Sequence, residues 1–128
     1  MKDFDKWNKI KKKINHKDDY LPFYHERQIR WCRFGVNIGY EQDGTGSGFS
    51  RPVLILKGFN RHTCLVVPLT TSTKSGEYNI PIGIIDEQEA SVIISQLRLV
   101  DVRRLYKYVA TLDKEVFKEI QKAVKDML

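Results

Sequence analysis

Cysteine is scarce in this sequence. It has two cysteines, Cys32 and Cys64, and neither has a second cysteine or a histidine at the spacing that zinc sites use. This excludes a disulfide framework and argues against structural zinc. Both residues lie within strand-like apolar runs, so we interpret them as small, reduced residues in or near the core. We predict neither a metal nor a cofactor.

Long apolar runs are also missing. No stretch approaches the roughly 20 apolar residues of a membrane span, and the Lys-rich start lacks the apolar segment of a signal peptide. We therefore expect a cytoplasmic protein without a membrane partner. The glycines at 44, 46 and 48 are not followed by Gly-Lys-Ser or Gly-Lys-Thr, which excludes a phosphate-binding P-loop.

What is present fits one soluble domain. The chain has 128 residues, of which 41% are hydrophobic and 30% charged. The formal net charge of +6 favours a polyanionic partner, or an acidic protein, over a membrane surface.

The N-terminal part differs from the rest. Residues 3–15 place Phe4, Trp7, Ile10 and Ile14 at helical spacing, with lysines on the other faces. Residues 15–28 mix charges, proline and aromatics without a period. We predict an amphipathic helix and linker over 1–28, packed on a domain at 29–128. Its lysines are either a solvated face or a surface that follows phosphates.

The central stretch contains two β-branched runs, 53–56 and 64–67, separated by turn-forming residues at 58–60. If these strands pair antiparallel, the start of the first lies beside the end of the second. Arg51 and Thr70 are then neighbours. A guanidinium beside a hydroxyl suits a phosphodiester, because the guanidinium fork grips non-bridging oxygens and the hydroxyl adds a hydrogen bond.

The remaining pattern predicts further short strands and one terminal helix. Asp113 can cap a helix to about Met127, with one apolar face. Nothing resembles alternating β-α units, so we expect a mainly β fold with helices (α+β), a small barrel or twisted sheet. The other predicted elements are a strand from Ile29 to Ile38, an edge or bent strand at 79–85, a turn at 86–90, a buried strand at 91–94, a short strand or helical turn at 102–105 and a last strand at 106–111.

Four segments, in this order, resemble the MazF/PemK toxins of bacterial toxin–antitoxin pairs. The resemblance runs from about Ile29 to the C-terminus. The segments are Gly39-Tyr40-Glu41-Gln42, Arg51-Pro52-Val53-Leu54-Ile55-Leu56, Val67-Pro68-Leu69-Thr70-Thr71, and Ser91 to Asp101 with Arg104-Leu105.

The resemblance implies an SH3-like small β-barrel of the MazF/CcdB type that forms a homodimer, with the N-terminal helix as an addition. It also implies a metal-independent, sequence-selective endoribonuclease that cuts single-stranded RNA to a 2′,3′-cyclic phosphate and a 5′-hydroxyl. The partner would be a cognate antitoxin with an acidic binding segment. By the same resemblance, the catalytic arginine and threonine fall on Arg51 and Thr70, and Glu41 is the candidate base.

Further side chains are candidates for RNA contact. Arg98, Arg103 and Arg104 can hold RNA backbone, but pairing with Asp101 is an equal alternative. Aromatic and histidine side chains can stack on bases. The RNA-binding candidates are Thr71, Arg98, Phe49, His62 and Gln96.

The sequence departs from the family in two places that bear on the site. Nine residues separate Glu41 from Arg51, more than is typical of the family. Ile93 and Ser95 stand where the PemK branch has a catalytic arginine and aspartate, so the MazF-style site is the better template. The alternatives are a non-catalytic member that binds protein, as the related CcdB toxins bind DNA gyrase, and an RNA-binding barrel without turnover.

Overall fold

The computed structural model describes residues 24–34, 50–72 and 76–128. Within these ranges the chain forms a curled antiparallel sheet, open like a half-barrel, followed by one helix. The predicted N-terminal helix lies outside the described residues. The strands are β1 Gln28–Arg33, β2 Ser50–Gly58, β3 Thr63–Thr70, β4 Asn79–Ile85, β5 Gln88–Ile93, β6 Arg98–Asp101 and β7 Leu105–Thr111, and the helix is α1 Lys114–Met127.

The strand order is β4-β5-β3-β2-β1-β7, and β6 also pairs with β3. One edge of β3 pairs with β2 along most of its length. Its other edge is shared, because β6 pairs with the first half of β3 and β5 with its last two residues. This division bends the sheet at β3 and gives the half-barrel its curl. The mainly β architecture with a C-terminal helix confirms the fold expected from the sequence.

Both faces of β2 and β3 are buried. Side chains alternate along a strand, so neighbours such as Val53 and Leu54 lie on opposite faces. The helix-side cluster contains Leu54, Val67 and residues of α1 such as Ile120. On the other face, the barrel cluster contains Val53 and residues from β1, β3, β6 and β7. This explains why both runs are continuously apolar rather than alternating.

Helix α1 closes the helix-side cluster. The carboxylate of Asp113 accepts hydrogen bonds from the backbone N–H groups of Glu115 and Val116, at 3.0 and 3.4 Å, as an N-cap does. Phe117, Ile120 and Val124 are buried on one face of the helix. The predicted cap and helix are confirmed.

The region around β4 and β5 is confirmed in part. Strand β4 lies at the sheet edge, as its proline and glycine indicated. The turn predicted over 86–90 is wrong in length, because β5 already begins at Gln88. Asp86 and Glu87 alone make the turn, with φ of 52° and 68°, and a two-residue hairpin loop of type I′ requires positive φ at both positions.

Two further boundaries differ from the expectation, and one open alternative is decided. Strand β5 ends at Ile93, and a 3₁₀ turn, Ile94–Gln96, follows it. Residues Val102–Arg104 form a second 3₁₀ turn, which is the helical alternative of the two predicted there. Strand β1 begins at Gln28, and the residues before it already contact the sheet: the backbone N–H of Arg27 donates to the carbonyl of Ile55 in β2 at 3.0 Å.

Two-sided burial of β2 predicts that adjacent residues are both sensitive to truncation. Leu54→Ala should lower the free energy of unfolding by about 2–5 kcal/mol, and Val53→Ala by about 1.5 kcal/mol or more, because each leaves a cavity on its own face. Urea denaturation measures both changes. Exposed Lys57→Ala in the same strand is the control, with a change of about 0.5 kcal/mol or less. A loss at only one of Val53 and Leu54 would contradict burial of both faces.

Candidate active site

Arg51 and Thr70 come together at one end of the β2–β3 pair. Val53 lies directly opposite Pro68, and continuing this register by two residues brings Arg51 opposite Thr70. The Arg51 Nη2 atom donates to the carbonyl of Leu69 at 3.0 Å, which holds the guanidinium against β3. Both side chains lie on the face of the barrel cluster, since two-residue steps keep the face.

Arg51 is only partly accessible. Its side chain is half-buried, and this burial lowers the pKa of its guanidinium from the ordinary value. The direction follows because desolvation penalises the charged form. A guanidinium held in a partly desolvated place interacts more strongly with an anion than one in bulk water.

Thr70 is 8% exposed, and its hydroxyl has a defined orientation. The Oγ1 atom accepts a hydrogen bond from the backbone N–H of Ser72 at 3.1 Å. Because the oxygen acts as the acceptor in this bond, the hydroxyl proton remains available for donation to another group. A phosphate oxygen beside Arg51 is a suitable acceptor.

Ser91 adds a second hydroxyl that the sequence did not single out for the site. It lies directly opposite Thr70 in the β3–β5 pair, and so on the same face. Its side chain is half-buried, between the buried Ala90 and Val92 of the same strand. In the sequence, the only sign of this role is a polar residue between two apolar ones. The strand register is needed to show that Ser91 lies opposite Thr70. A row of Ser91, Thr70 and Arg51 therefore crosses three strands.

Arg98 lies on the same face as this row. It pairs with Val66 of β3, and its guanidinium lies over the ring of Phe34, 4.8 Å from the ring centroid. Gln96 is in the 3₁₀ turn that joins β5 to β6 along one edge of β3. Thr71 is exposed and directly follows Thr70. The roles of these residues stay predictions.

The structure does not bring His62 to this place. His62 precedes β3, whereas Thr70 ends it, and eight residues of extended chain span roughly 25 Å. We therefore leave His62 out of the site around Arg51. Glu41 and Phe49 lie outside the described residues, and their roles also stay predictions.

The two neighbouring arginines of the second 3₁₀ turn behave differently. Arg103 pairs with Asp101, with its Nε atom 2.9 Å from a carboxylate oxygen. This hydrogen bond lowers the pKa of Asp101 and raises that of Arg103. The Arg104 Nη1 atom instead donates to the carbonyl of Arg33 at 3.0 Å. The pairing with Asp101 that the sequence left open for Arg98, Arg103 and Arg104 thus occurs at Arg103.

Cys32 and Cys64 are fully buried free thiols in the barrel cluster, as the sequence predicted. In the part of the chain that the structure describes, no three His, Cys, Asp or Glu side chains gather as metal ligands would. Over the same residues, no helix combines the length and apolar character needed to cross a bilayer.

A family model described as PemK-like, MazF-like toxin of type II toxin–antitoxin system matches residues 25–128. No curated protein sequence matches the chain.

Solved structures share the fold. MazF from Deinococcus radiodurans superimposes with a TM-score of 0.67 at 21% identity, covering 85% of this chain and 97% of that one. The toxin MazF-mt6 of Mycobacterium tuberculosis gives 0.61 at 18% identity, with 78% and 94% covered. A mycobacterial endoribonuclease in complex with its cognate antitoxin gives 0.60 at 18% identity, with 81% and 93% covered.

The buried thiols give a prediction about reactivity and pH. Burial raises the pKa of both Cys32 and Cys64 to about 12, so only about one thiol in ten thousand is ionised at pH 8. We expect slow labelling by an aromatic disulfide reagent in the folded protein and rapid labelling in urea. Rapid labelling of the folded protein would contradict the burial.

The same shift makes stability depend on pH. The folded-state pKa of each thiol lies above the unfolded value of about 9. The contribution of each thiol to the free energy of unfolding is therefore complete below pH 9 and is lost as the pH rises towards 12. Urea denaturation at several pH values measures this slope. A double Cys32→Ala, Cys64→Ala variant is the control and should show a shallower decline.

Proposed function

Because the chain belongs to the PemK-like, MazF-like toxins of type II toxin–antitoxin systems, we propose that it is a metal-independent endoribonuclease. Its substrate is single-stranded RNA, which it cuts in the cytoplasm at short sequences. The observation that carries the proposal is the hydrogen bond from Arg51 to the carbonyl of Leu69, which holds the guanidinium at the end of β3 where Thr70 lies. A fork of N–H donors next to an oriented hydroxyl is suited to a phosphodiester.

The reaction starts with attack of the ribose 2′-oxygen on the adjacent phosphorus. A bond from the 2′-oxygen to phosphorus forms, and the bond from phosphorus to the 5′-oxygen breaks. The products are a 2′,3′-cyclic phosphate and a 5′-hydroxyl. Three tasks follow for the protein: the 2′-hydroxyl must lose its proton, the phosphorane must be stabilised, and the leaving 5′-oxygen must gain a proton.

Arg51 is suited to the second task. Its guanidinium neutralises the charge that develops on the non-bridging oxygens, and partial burial strengthens that interaction. Burial shifts the pKa of Arg51 in the direction that proton donation to the leaving oxygen would require, although an arginine normally keeps its charge. Glu41 remains the proposed base for the 2′-hydroxyl.

Thr70 is suited to holding the scissile group. The backbone N–H of Ser72 fixes its oxygen, so its proton can be donated to a phosphate oxygen. Ser91, on the adjacent strand, can donate to a second oxygen or to the ribose of the same nucleotide. Thr71, Gln96 and Arg98 are proposed to contact the flanking nucleotides.

The partners proposed for this chain are a second copy of itself and a cognate antitoxin. A mycobacterial relative of the same fold is known in complex with its cognate antitoxin, which supports the second. An acidic antitoxin segment would complement the net charge of +6 of this chain. The N-terminal helix and linker over 1–28, packed on the 29–128 domain, remain a proposal.

The deciding experiment incubates the purified protein in EDTA with a long single-stranded RNA and a matching DNA strand. We expect discrete RNA fragments with 5′-hydroxyl ends and intact DNA. Arg51→Ala should reduce the rate by about 10²- to 10³-fold, the usual loss for one charge-stabilising donor. Thr70→Val, which keeps the shape but removes the hydroxyl, should cost about 10- to 100-fold.

Arg61→Ala is the matched control, since Arg61 is an exposed arginine in the loop at the opposite end of β2 and β3. Its rate should equal that of the unmodified protein. Intact RNA over many sequences, from a folded protein, would overturn the nuclease and favour the protein-binding alternative. Full activity of Arg51→Ala would leave the proposed nuclease activity intact but would exclude Arg51 from its mechanism.

A further inference from the structure

One exposed surface continues from the candidate active site onto the β4–β5 hairpin. It consists of Pro81, Ile84 and Glu89, which we call the hairpin surface. We propose that the hairpin surface binds one base of the RNA strand, next to the scissile phosphate, and selects a base with an exocyclic amino group over uracil. The inference rests on the proposed function and adds to it a residue that determines specificity.

The alternation of buried residues fixes the face on which the β4 side chains lie. The isoleucines of β4 that belong to the helix-side cluster or pack against it are Ile80, Ile82 and Ile85. Pro81 and Ile84 therefore lie on the other face, and both are exposed. A register shift between Pro81 and Gly83, with Gly83 at a φ of 95°, accounts for the three-residue step from Pro81 to Ile84.

Strand β5 places Glu89 on the same face. Glu89 pairs directly with Ile84, and paired residues of antiparallel strands share a face, with their Cβ atoms about 5 Å apart. Glu89 also lies two residues before Ser91 in β5, so both side chains project from the same face. Ser91 in turn pairs with Pro81 on one side and with Thr70 on the other. The hairpin surface is therefore continuous with the polar row of the candidate active site.

The distance between the two places suits a single nucleotide. Adjacent strands lie about 4.8 Å apart and two residues of a strand span about 6.8 Å, which puts the backbone of Glu89 roughly 8 Å from that of Thr70. When a phosphate oxygen lies at Thr70, the attached ribose and base extend past Ser91 towards Glu89. The base of a nucleotide beside the scissile phosphate is therefore within reach of the hairpin surface.

Two members of the hairpin surface offer apolar contact. Ile84 is 70% exposed, and Pro81 is exposed beside Ser91. Isoleucine and proline are among the apolar side chains that pack against bases in nucleic-acid complexes. Such packing does not depend on the donors and acceptors of the base, so these two residues supply affinity rather than selection.

Glu89 supplies the selection. Its side chain is exposed, and an ionised carboxylate only accepts hydrogen bonds. Cytosine, adenine and guanine present amino donors, whereas uracil presents a carbonyl where cytosine has its amino group. The negative charge also repels phosphate, so this position suits the edge of a base rather than the RNA backbone. Arg51 and Glu89 thus favour opposite ends of one nucleotide.

The test compares binding of 2′-O-methyl oligocytidine with that of 2′-O-methyl oligouridine. The two bases have rings of equal size, and the blocked 2′-hydroxyl prevents cleavage. We expect the unmodified protein to bind oligocytidine more tightly. Glu89→Gln should lower the ratio of the Kd for oligouridine to the Kd for oligocytidine by about 5- to 20-fold, because an amide also donates to the uracil carbonyl.

Ile84→Ala should raise both Kd values by about 3- to 5-fold and leave their ratio unchanged, because apolar contact does not distinguish the two bases. Leu99→Ala is its matched control, since Leu99 is an exposed apolar residue on the opposite face of β6 from Val100 of the barrel cluster. Glu119→Gln, at an exposed position of α1, is the charge-matched control for Glu89→Gln. Neither control should change the ratio, and thermal melts show whether each variant is folded.

Several results would overturn the base site. They are equal affinity of the unmodified protein for the two oligonucleotides, binding of neither, an unchanged ratio in Glu89→Gln, and an equal change in Glu119→Gln. If Ile84→Ala leaves both Kd values unchanged but weakens self-association or antitoxin binding in sedimentation experiments, the hairpin surface is a protein interface instead.

The outcomes for the base site and for the nuclease are separable. If natural RNA is cleaved but Glu89→Gln binds with an unchanged ratio, the base site is wrong and the nuclease stands. If RNA is never cleaved but the ratio falls as expected, the nuclease is wrong and the base site stands. With cleavable RNA, sequencing of the 5′-hydroxyl ends should show that Glu89→Gln newly accepts uracil at one position flanking the cut.

Discussion

The antiparallel pairing of β2 with β3 is the constraint on which the rest of the structure depends. These strands are buried on both faces, so a slip of one residue would exchange the helix-side and barrel clusters. The register of Val53 with Pro68 is therefore strongly fixed, and it brings Arg51 opposite Thr70. The cost of disturbing two cores thus maintains the geometry of the candidate active site.

Strand β3 also distributes the other functional groups. Because β5 and β6 pair with the same edge of β3, Ser91 of β5 and Arg98 of β6 both lie beside β3. One short connection joins β5 to β6. The 3₁₀ turn between them shifts the chain from one pairing to the next. The half-barrel shape and the convergence of polar groups have the same origin, the division of one strand edge between two partners.

Hydrogen bonds within the protein hold two of the polar groups at this end of the sheet. Thr70 accepts from the backbone of Ser72, and Arg51 donates to the carbonyl of Leu69. A buried polar group without such a partner would cost about 1–3 kcal/mol. These hydrogen bonds orient the side chains before any ligand arrives, which is the arrangement that electrostatic stabilisation of a transition state requires.

Local patterns in the sequence determined much of this protein. The continuous β-branched runs indicated strands β2 and β3, the proline and glycine of β4 indicated an edge, and Asp113 indicated the start of α1. These features depend on neighbouring residues alone, so they can be read without a structure. The adjacency of Arg51 and Thr70 was also predictable, because a hairpin connection joins their two strands.

Tertiary structure alone decided the rest. Ser91 faces Thr70 because of a pairing between strands distant in sequence, and the curl of the sheet brings Arg98 over Phe34. His62 is separated from the site by the length of β3, although it is closer in sequence to Thr70 than Ser91 is. Identical neighbours, Arg103 and Arg104, differ in role because one meets a carboxylate and the other a strand end. Cross-strand register and sheet curvature arise from the packing of the whole core, so no local pattern encodes them.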